Sequence, residues 1–199
     1  MKRMIAFIAL AALLMVLVGC AAGPAAPTVP TTTRKTRPVW QTGEDTSCFP
    51  LRLYHKNGTG VSEMEIYPDG SFEGVYTAGT ITIDQDTGMA SGEMDHCKFD
   101  GEFSTFTKRD AYSYELTVRE LRLQRAVGEQ WNENGGKYTA VEAYGLTDVT
   151  ACVLYLPGTP ADMLPEEVKA VAVMNETMPM TLTGYCLMTD KKTVFVSVL

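Results

Sequence analysis

The chain reads as a mainly β protein, a small antiparallel β-barrel with one short helix, on three observations. Turn-forming clusters recur about every eight to twelve residues from Cys48 onward, the rhythm of strands joined by short loops. They include Lys56-Asn57-Gly58, Pro68-Asp69-Gly70, Asp86-Thr87-Gly88 and Asn134-Gly135-Gly136. Between them apolar and polar residues alternate with the period of two expected of a half-buried strand. Helical periodicity is confined to one stretch near residues 164–174. A β-sandwich is the alternative packing of the same strands.

The elements follow in order. Met64, Ile66, Phe72 and Tyr76 share one parity while Glu63, Glu65 and Glu73 share the other, which predicts strands with one apolar and one acidic face. Asp69-Gly70-Ser71-Phe72 and Asp100-Gly101-Glu102-Phe103 resemble one another, and both read as an Asp-Gly turn feeding an inward Phe. In Ala111–Gln124, Tyr112, Tyr114, Leu116 and Val118 share a parity that Leu121 and Leu123 abandon. A bulge near Arg119-Glu120 accounts for the slip and would help a sheet close on itself. Residues 150–156 are apolar on both parities, as in a central strand covered on both faces. Leu164-Pro165-Glu166-Glu167-Val168 predicts a helix start, with proline at the first helical position and acids where the dipole favours them. Val168, Val171 and Ala172 then form a short stripe and Asn175 a stop. Strands return over 180–188 and 193–199.

The amino end carries a different signal. Lys2 and Arg3 precede an apolar run from Met4 to Val18, followed by Leu17-Val18-Gly19-Cys20. At roughly 15 residues the run is short of the ~20 that span a bilayer, and the pattern is that of a signal peptide over residues 1–19. Small Gly19 before Cys20 predicts cleavage there and lipidation of the Cys20 thiol. Two acyl chains such as palmitate, at about 0.8 kcal/mol per buried methylene, hold far more firmly than one. Residues 20–45 then form a Pro/Thr-rich tether, with Pro24, Pro27, Pro30 and Pro38 among Thr31, Thr32, Thr33 and Thr36. In polyproline II, at about 3.1 Å per residue, such a tether reaches up to roughly 75 Å. Residues 46–199 make a single β domain.

The 199 residues carry 17 basic and 24 acidic side chains; without Lys2 and Arg3 the balance is 15 against 24, a net charge of −9. Such a chain is no ligand for phosphate backbones, whose partners need a clustered positive face. The one basic cluster, Arg34, Lys35 and Arg37, falls in the tether. Besides Cys20 there are Cys48, Cys97, Cys152 and Cys186, an even set that outside the cytoplasm either forms disulfides or packs as buried thiols. No two lie at a chelating spacing, so no metal or cofactor is expected.

Catalytic constellations are missing from the sequence. There is no Gly-x-Ser-x-Gly elbow, and His96 beside Cys97 would face away from it on a strand. Asp84, Asp86 and Asp95 mimic a calcium loop, but Gly88 and Met89 occupy positions the EF-hand pattern reserves for a ligand and a glycine. Trp131, followed by Tyr138 across a glycine-bearing loop, is the candidate contact for a ligand or partner.

Ser91-Gly92-Glu93-Met94, Phe99-Asp100-Gly101-Glu102-Phe103-Ser104, Tyr144-Gly145-Leu146 and Leu154-Tyr155-Leu156-Pro157-Gly158-Thr159-Pro160 with Leu164-Pro165-Glu166-Glu167 resemble a group of uncharacterised membrane lipoproteins of Gram-positive bacteria. The resemblance covers most of residues 60–170, and it implies an up-and-down barrel of calycin-like type with no assigned activity. This chain adds its four further cysteines and its final strands to that pattern. The expectation is therefore a non-enzymatic binding or interaction module on the extracytoplasmic face of a bacterial cell membrane. It would hold a small lipophilic ligand in the barrel. The alternatives are an inhibitor or spacer that binds an envelope protein through its acidic outer face, or a cell-wall hydrolase.

Overall fold

The computed structural model describes residues 48–83, 86–87, 90–175 and 180–197. The signal peptide, Cys20, the tether with its basic cluster, and Asp84 of the carboxylate loop lie outside them. Among the described residues no helix is long and apolar enough to cross a membrane.

Among the described residues twelve strands are formed: β1 (Leu51–Asn57), β2 (Gly60–Ile66), β3 (Ser71–Ile83), β4 (Ala90–Lys108), β5 (Ser113–Leu123), β6 (Gln130–Glu133), β7 (Gly136–Ala140), β8 (Ala151–Tyr155), β9 (Met174–Asn175), β10 (Thr181–Leu182), β11 (Cys186–Thr189) and β12 (Val194–Ser197). Eight of them, in the order β3-β2-β1-β12-β11-β8-β5-β4, form an antiparallel barrel that closes through the β3–β4 pairing. Beyond the wall, β4 also pairs with β7 in parallel, and β7 with β6, so that β3, β4, β7 and β6 extend the sheet as an arm.

The alternation predicted from sequence decides what lies inside. Leu53, Met64, Phe72, Phe99, Phe103, Leu116, Leu154, Leu187 and Phe195 are all buried within the barrel. Each large apolar side chain so buried contributes about 1.5–3 kcal/mol. Segment 141–149 inserts Ala143, Leu146 and Val149 into the same cluster, and Ser62 Oγ donates to the Tyr144 carbonyl at 2.9 Å to hold it there. The bulge expected near Arg119-Glu120 is present: Glu102 pairs with Glu120 and Phe103 with Val118, leaving Arg119 unpaired on β5. Leu121 and Leu123 thereby turn back toward the core.

One sequence reading is corrected and the extent of another is narrowed. Asp100-Gly101 is no turn: β4 runs through it unbroken, and the glycine is there because a Cβ would strike the Phe72 ring and the Glu120 carbonyl. Only Asp69-Gly70 turns the chain, and Phe72 meets Phe103 inside at a ring separation of 4.7 Å. The helix is a single turn, α1 (Glu166–Lys169), preceded by a 3-10 turn at Ala161–Met163. Pro165 caps it in extended conformation, and of the expected stripe only Val168 is fully buried while Val171 is exposed. The segment turns back at once to pair β9 with β10, which leaves no room for further turns.

This segment forms a second apolar layer outside the wall. Leu164, Val168 and Leu182 pack on Tyr155, Cys186 and Val194, the outward residues of β8, β11 and β12. That layer is why β8 is apolar on both faces, as its sequence predicts: Cys152 and Leu154 look inward, Tyr155 outward.

Candidate functional site

Because the wall strands are in register, outward residues form rows across the barrel. One row reads Arg52, Glu65, Glu73, Asp100, Arg122, each directly opposite the next on β1 through β5. Three carboxylates stand side by side, an arrangement that like-charge repulsion disfavours unless it is compensated. Compensation comes from the ends and from one hydroxyl. Arg52 Nε meets Glu65 at 2.7 Å, Arg122 pairs with Asp100, and Tyr67 donates to Glu65 and Glu73 at 3.2 and 2.6 Å. The bond to Glu73, followed by desolvation, pushes the Tyr67 hydroxyl up to about 12.

The next row runs Cys186, Val196, Tyr54, Glu63, Val75, Lys98. It starts under the outer layer and ends among charges, so the outer face changes from apolar to polar across β1. Against it the segment around Val173 and Leu182–Tyr185 stands as a wall, and the space between is a groove of about 1030 Å³. Glu63 lies exposed on its floor with no charged partner among the described residues. The groove is amphipathic: Tyr54, Tyr185 and Val196 on one side, carboxylates on the other.

Trp131 and Tyr138, singled out by the sequence, are brought together at the arm. They are cross-strand partners on β6 and β7, stacked at 5.2 Å, and the Arg125 guanidinium lies over the indole at 4.3 Å. His96 meets both rings edge-on, at 5.8 Å from Trp131 and 6.0 Å from Tyr138. The indole N–H donates to Glu133 at 3.3 Å. Trp131 is thus half-buried in its own clamp, beside a small polar nook of about 130 Å³. Desolvation and then Lys98 lower the His96 imidazole below its ordinary value, with Glu133 opposing them and Arg125 adding the smallest push downward; its Nδ1 is buried without a hydrogen-bond partner.

The four domain cysteines are free thiols. Cys97 on β4 and Cys152 on β8 both face the interior, but β5 runs between those strands. Two strand spacings, about 9–10 Å, exceed the reach of a disulfide. Cys186 faces the outer layer, and Cys48 is half-buried ahead of β1. Cys97, Cys152 and Cys186 pack as small core residues. Burial pushes Cys97 up to about 11 and Cys152 and Cys186 up to about 12, far from the thiolate a nucleophile requires. His96 and Cys97 lie on opposite faces of β4, as strand alternation dictates.

The charge rows escape sequence reasoning because they join residues from five strands through registers that no local pattern encodes. The acidic parity of Glu63, Glu65 and Glu73 was the only visible trace of them. No family model, no curated protein and no solved structure matches this chain.

Proposed function

We propose that this chain is a lipid-anchored extracytoplasmic interaction module that takes a cationic, partly apolar segment of another envelope protein into the outer groove. The observation that carries the reading is the row of three adjacent carboxylates facing Tyr54, Tyr185 and Val196. A cation laid against Glu63, beside the row of Glu65, Glu73 and Asp100, gains from their combined negative charge, while the apolar side contributes burial. The address rests on Leu17-Val18-Gly19-Cys20 and on the resemblance to bacterial lipoproteins. A lipophile inside the barrel is less favoured, since Phe72, Phe99, Phe103 and the inserted Leu146 already fill that space.

The test is a photoreactive phenylalanine derivative at Val75, introduced into the full chain in its membrane. The expected product is a covalent adduct to a polypeptide through a basic segment. Charge reversal by Glu63→Lys with Glu73→Lys should lower its yield about tenfold, as should raised salt. An adduct insensitive to both would sink the groove reading. A discrete small-molecule adduct in the native mass spectrum, with no polypeptide adduct, would move the site into the barrel.

A further inference from the structure

Among the described residues the arm presents two sheet edges, and they differ. Pairing of β2 with β3 ends at Thr77, whereas pairing of β3 with β4 continues in constant register to Ile83. Residues 78–83 therefore have a neighbour on one side only among the described residues. The phase of the ladder is set at its start. Tyr67 N–H donates to Ser71 carbonyl and Phe103 N–H to Gly70 carbonyl, so odd-numbered residues of β3 address β2 and even-numbered ones address β4. Past Thr77 the odd residues Gly79, Ile81 and Ile83 direct their N–H and C=O groups into the open edge.

Natural edge strands are guarded by charge, proline or shortness. This one is guarded by none of them: Thr77-Ala78-Gly79-Thr80-Ile81-Thr82-Ile83 has no charged residue and no proline, in a chain of net charge −7. The opposite edge, β6, is only four residues long, ends in Glu133 and follows Glu129. Self-pairing there would set carboxylates against carboxylates.

We propose that the 78–83 edge pairs with the same edge of a second copy of this chain, in antiparallel fashion about a two-fold axis at Ile81. That register opposes Gly79 to Ile83 of the other copy and Ile81 to its own counterpart, which uses every outward backbone group in about six hydrogen bonds. The exposed side chains of Thr80 and Thr82 fall opposite one another, a favourable cross-strand pair. A neutral strand opposed to itself brings no like charges together, so the acidic character of the chain does not resist this contact. The two barrels then share one continuous sheet through their arms.

The experiment is oxidative crosslinking of the full chain in its membrane with Ile81→Cys and copper-phenanthroline, which takes up the two electrons released as two thiols become a disulfide. In a hydrogen-bonded antiparallel pair the Cα atoms stand about 5.5 Å apart, inside the range a disulfide spans. A covalent homodimer should form with Ile81→Cys and be absent with Asn132→Cys on the other edge. Adding Ile83→Lys should abolish it by setting a charge at the contact. Sedimentation of the unsubstituted chain in detergent should show a dimer that dissociates on dilution. An unsubstituted chain that stays monomeric at every concentration, with no covalent dimer of the Ile81→Cys variant above the parent background, would overturn the proposal. Coupling of the thiol introduced by Ile81→Cys to a different polypeptide would overturn it too, and make the edge an acceptor for a foreign strand.

Discussion

Within β4, residues 97–108 belong to the closed wall and residues 90–96 to the arm, and the two stretches are held in different ways. In the wall residues 97–102 pair with β3 and 99–108 with antiparallel β5, and the inward residues Cys97, Phe99 and Phe103 are no more than 4% exposed. In the arm it lies between β3 and parallel β7, and none of residues 91–95 is buried. The wall is secured by apolar burial on a closed surface; the arm depends on backbone ladders and on one clamp, Arg125 over Trp131 over Tyr138 with His96 at its edge. A single strand can therefore carry a stable core at one end and an opening edge at the other.

That contrast breaks most visibly in the core. Phe99→Ala should cost about 3–5 kcal/mol, because it leaves a cavity beneath Gly74 that the closed wall cannot collapse into. Urea denaturation checks this, and a cost near zero would mean that the wall relaxes like the arm. The thiols give the next largest effect. At pH 8 in the folded protein, alkylation of Cys97, Cys152 and Cys186 should be at least about a hundredfold slower than in denaturant, since burial both raises their pKa and excludes the reagent. Mass spectrometry of the labelled peptides reads it directly.

Trp131→Ala should act on the arm by about 1–2 kcal/mol through loss of stacking and the cation–π contact. Hydrogen exchange would then speed up at residues 92–96 and 136–140 and stay unchanged at 99–103. Uniform loss of protection would show arm and wall to be one cooperative unit. The smallest effect is that of His96 on pH dependence. Its folded midpoint lies below the ordinary value, so between the two midpoints the unfolded chain holds more protons and stability rises with pH. Stability should therefore fall as pH drops through about 6.5 and level off below the folded midpoint. His96→Gln should remove that slope, with NMR titration of the imidazole as the direct check.

Much of the wall was legible because burial on strands is a local, period-two property. Met64, Ile66, Phe72 and Phe103 point inward and Glu63, Glu65 and Glu73 outward, whatever their partners are. The parity slip at Arg119 announced a bulge for the same reason, and the two apolar faces of β8 announced two layers. The candidate site was legible only in fragments. Trp131 and Tyr138 stood out as aromatics near glycine, but their stacking, and the guanidinium above them, depend on a hairpin register and on a loop that comes back from β5.

The amino-acid sequence by itself determined the fold class, the sidedness of each strand and the acidic character of the outer face, because alternation and charge are carried by neighbouring residues. Tertiary structure alone decided that β1 meets β12, that β4 passes through Asp100-Gly101 without turning, and that Cys97, Cys152 and Cys186 stay apart. It also decided that Arg52, Glu65, Glu73, Asp100 and Arg122 make one row and that, among the described residues, 78–83 pair on one side alone. These are matters of register between segments distant in sequence, set by how the inward side chains fill one closed interior.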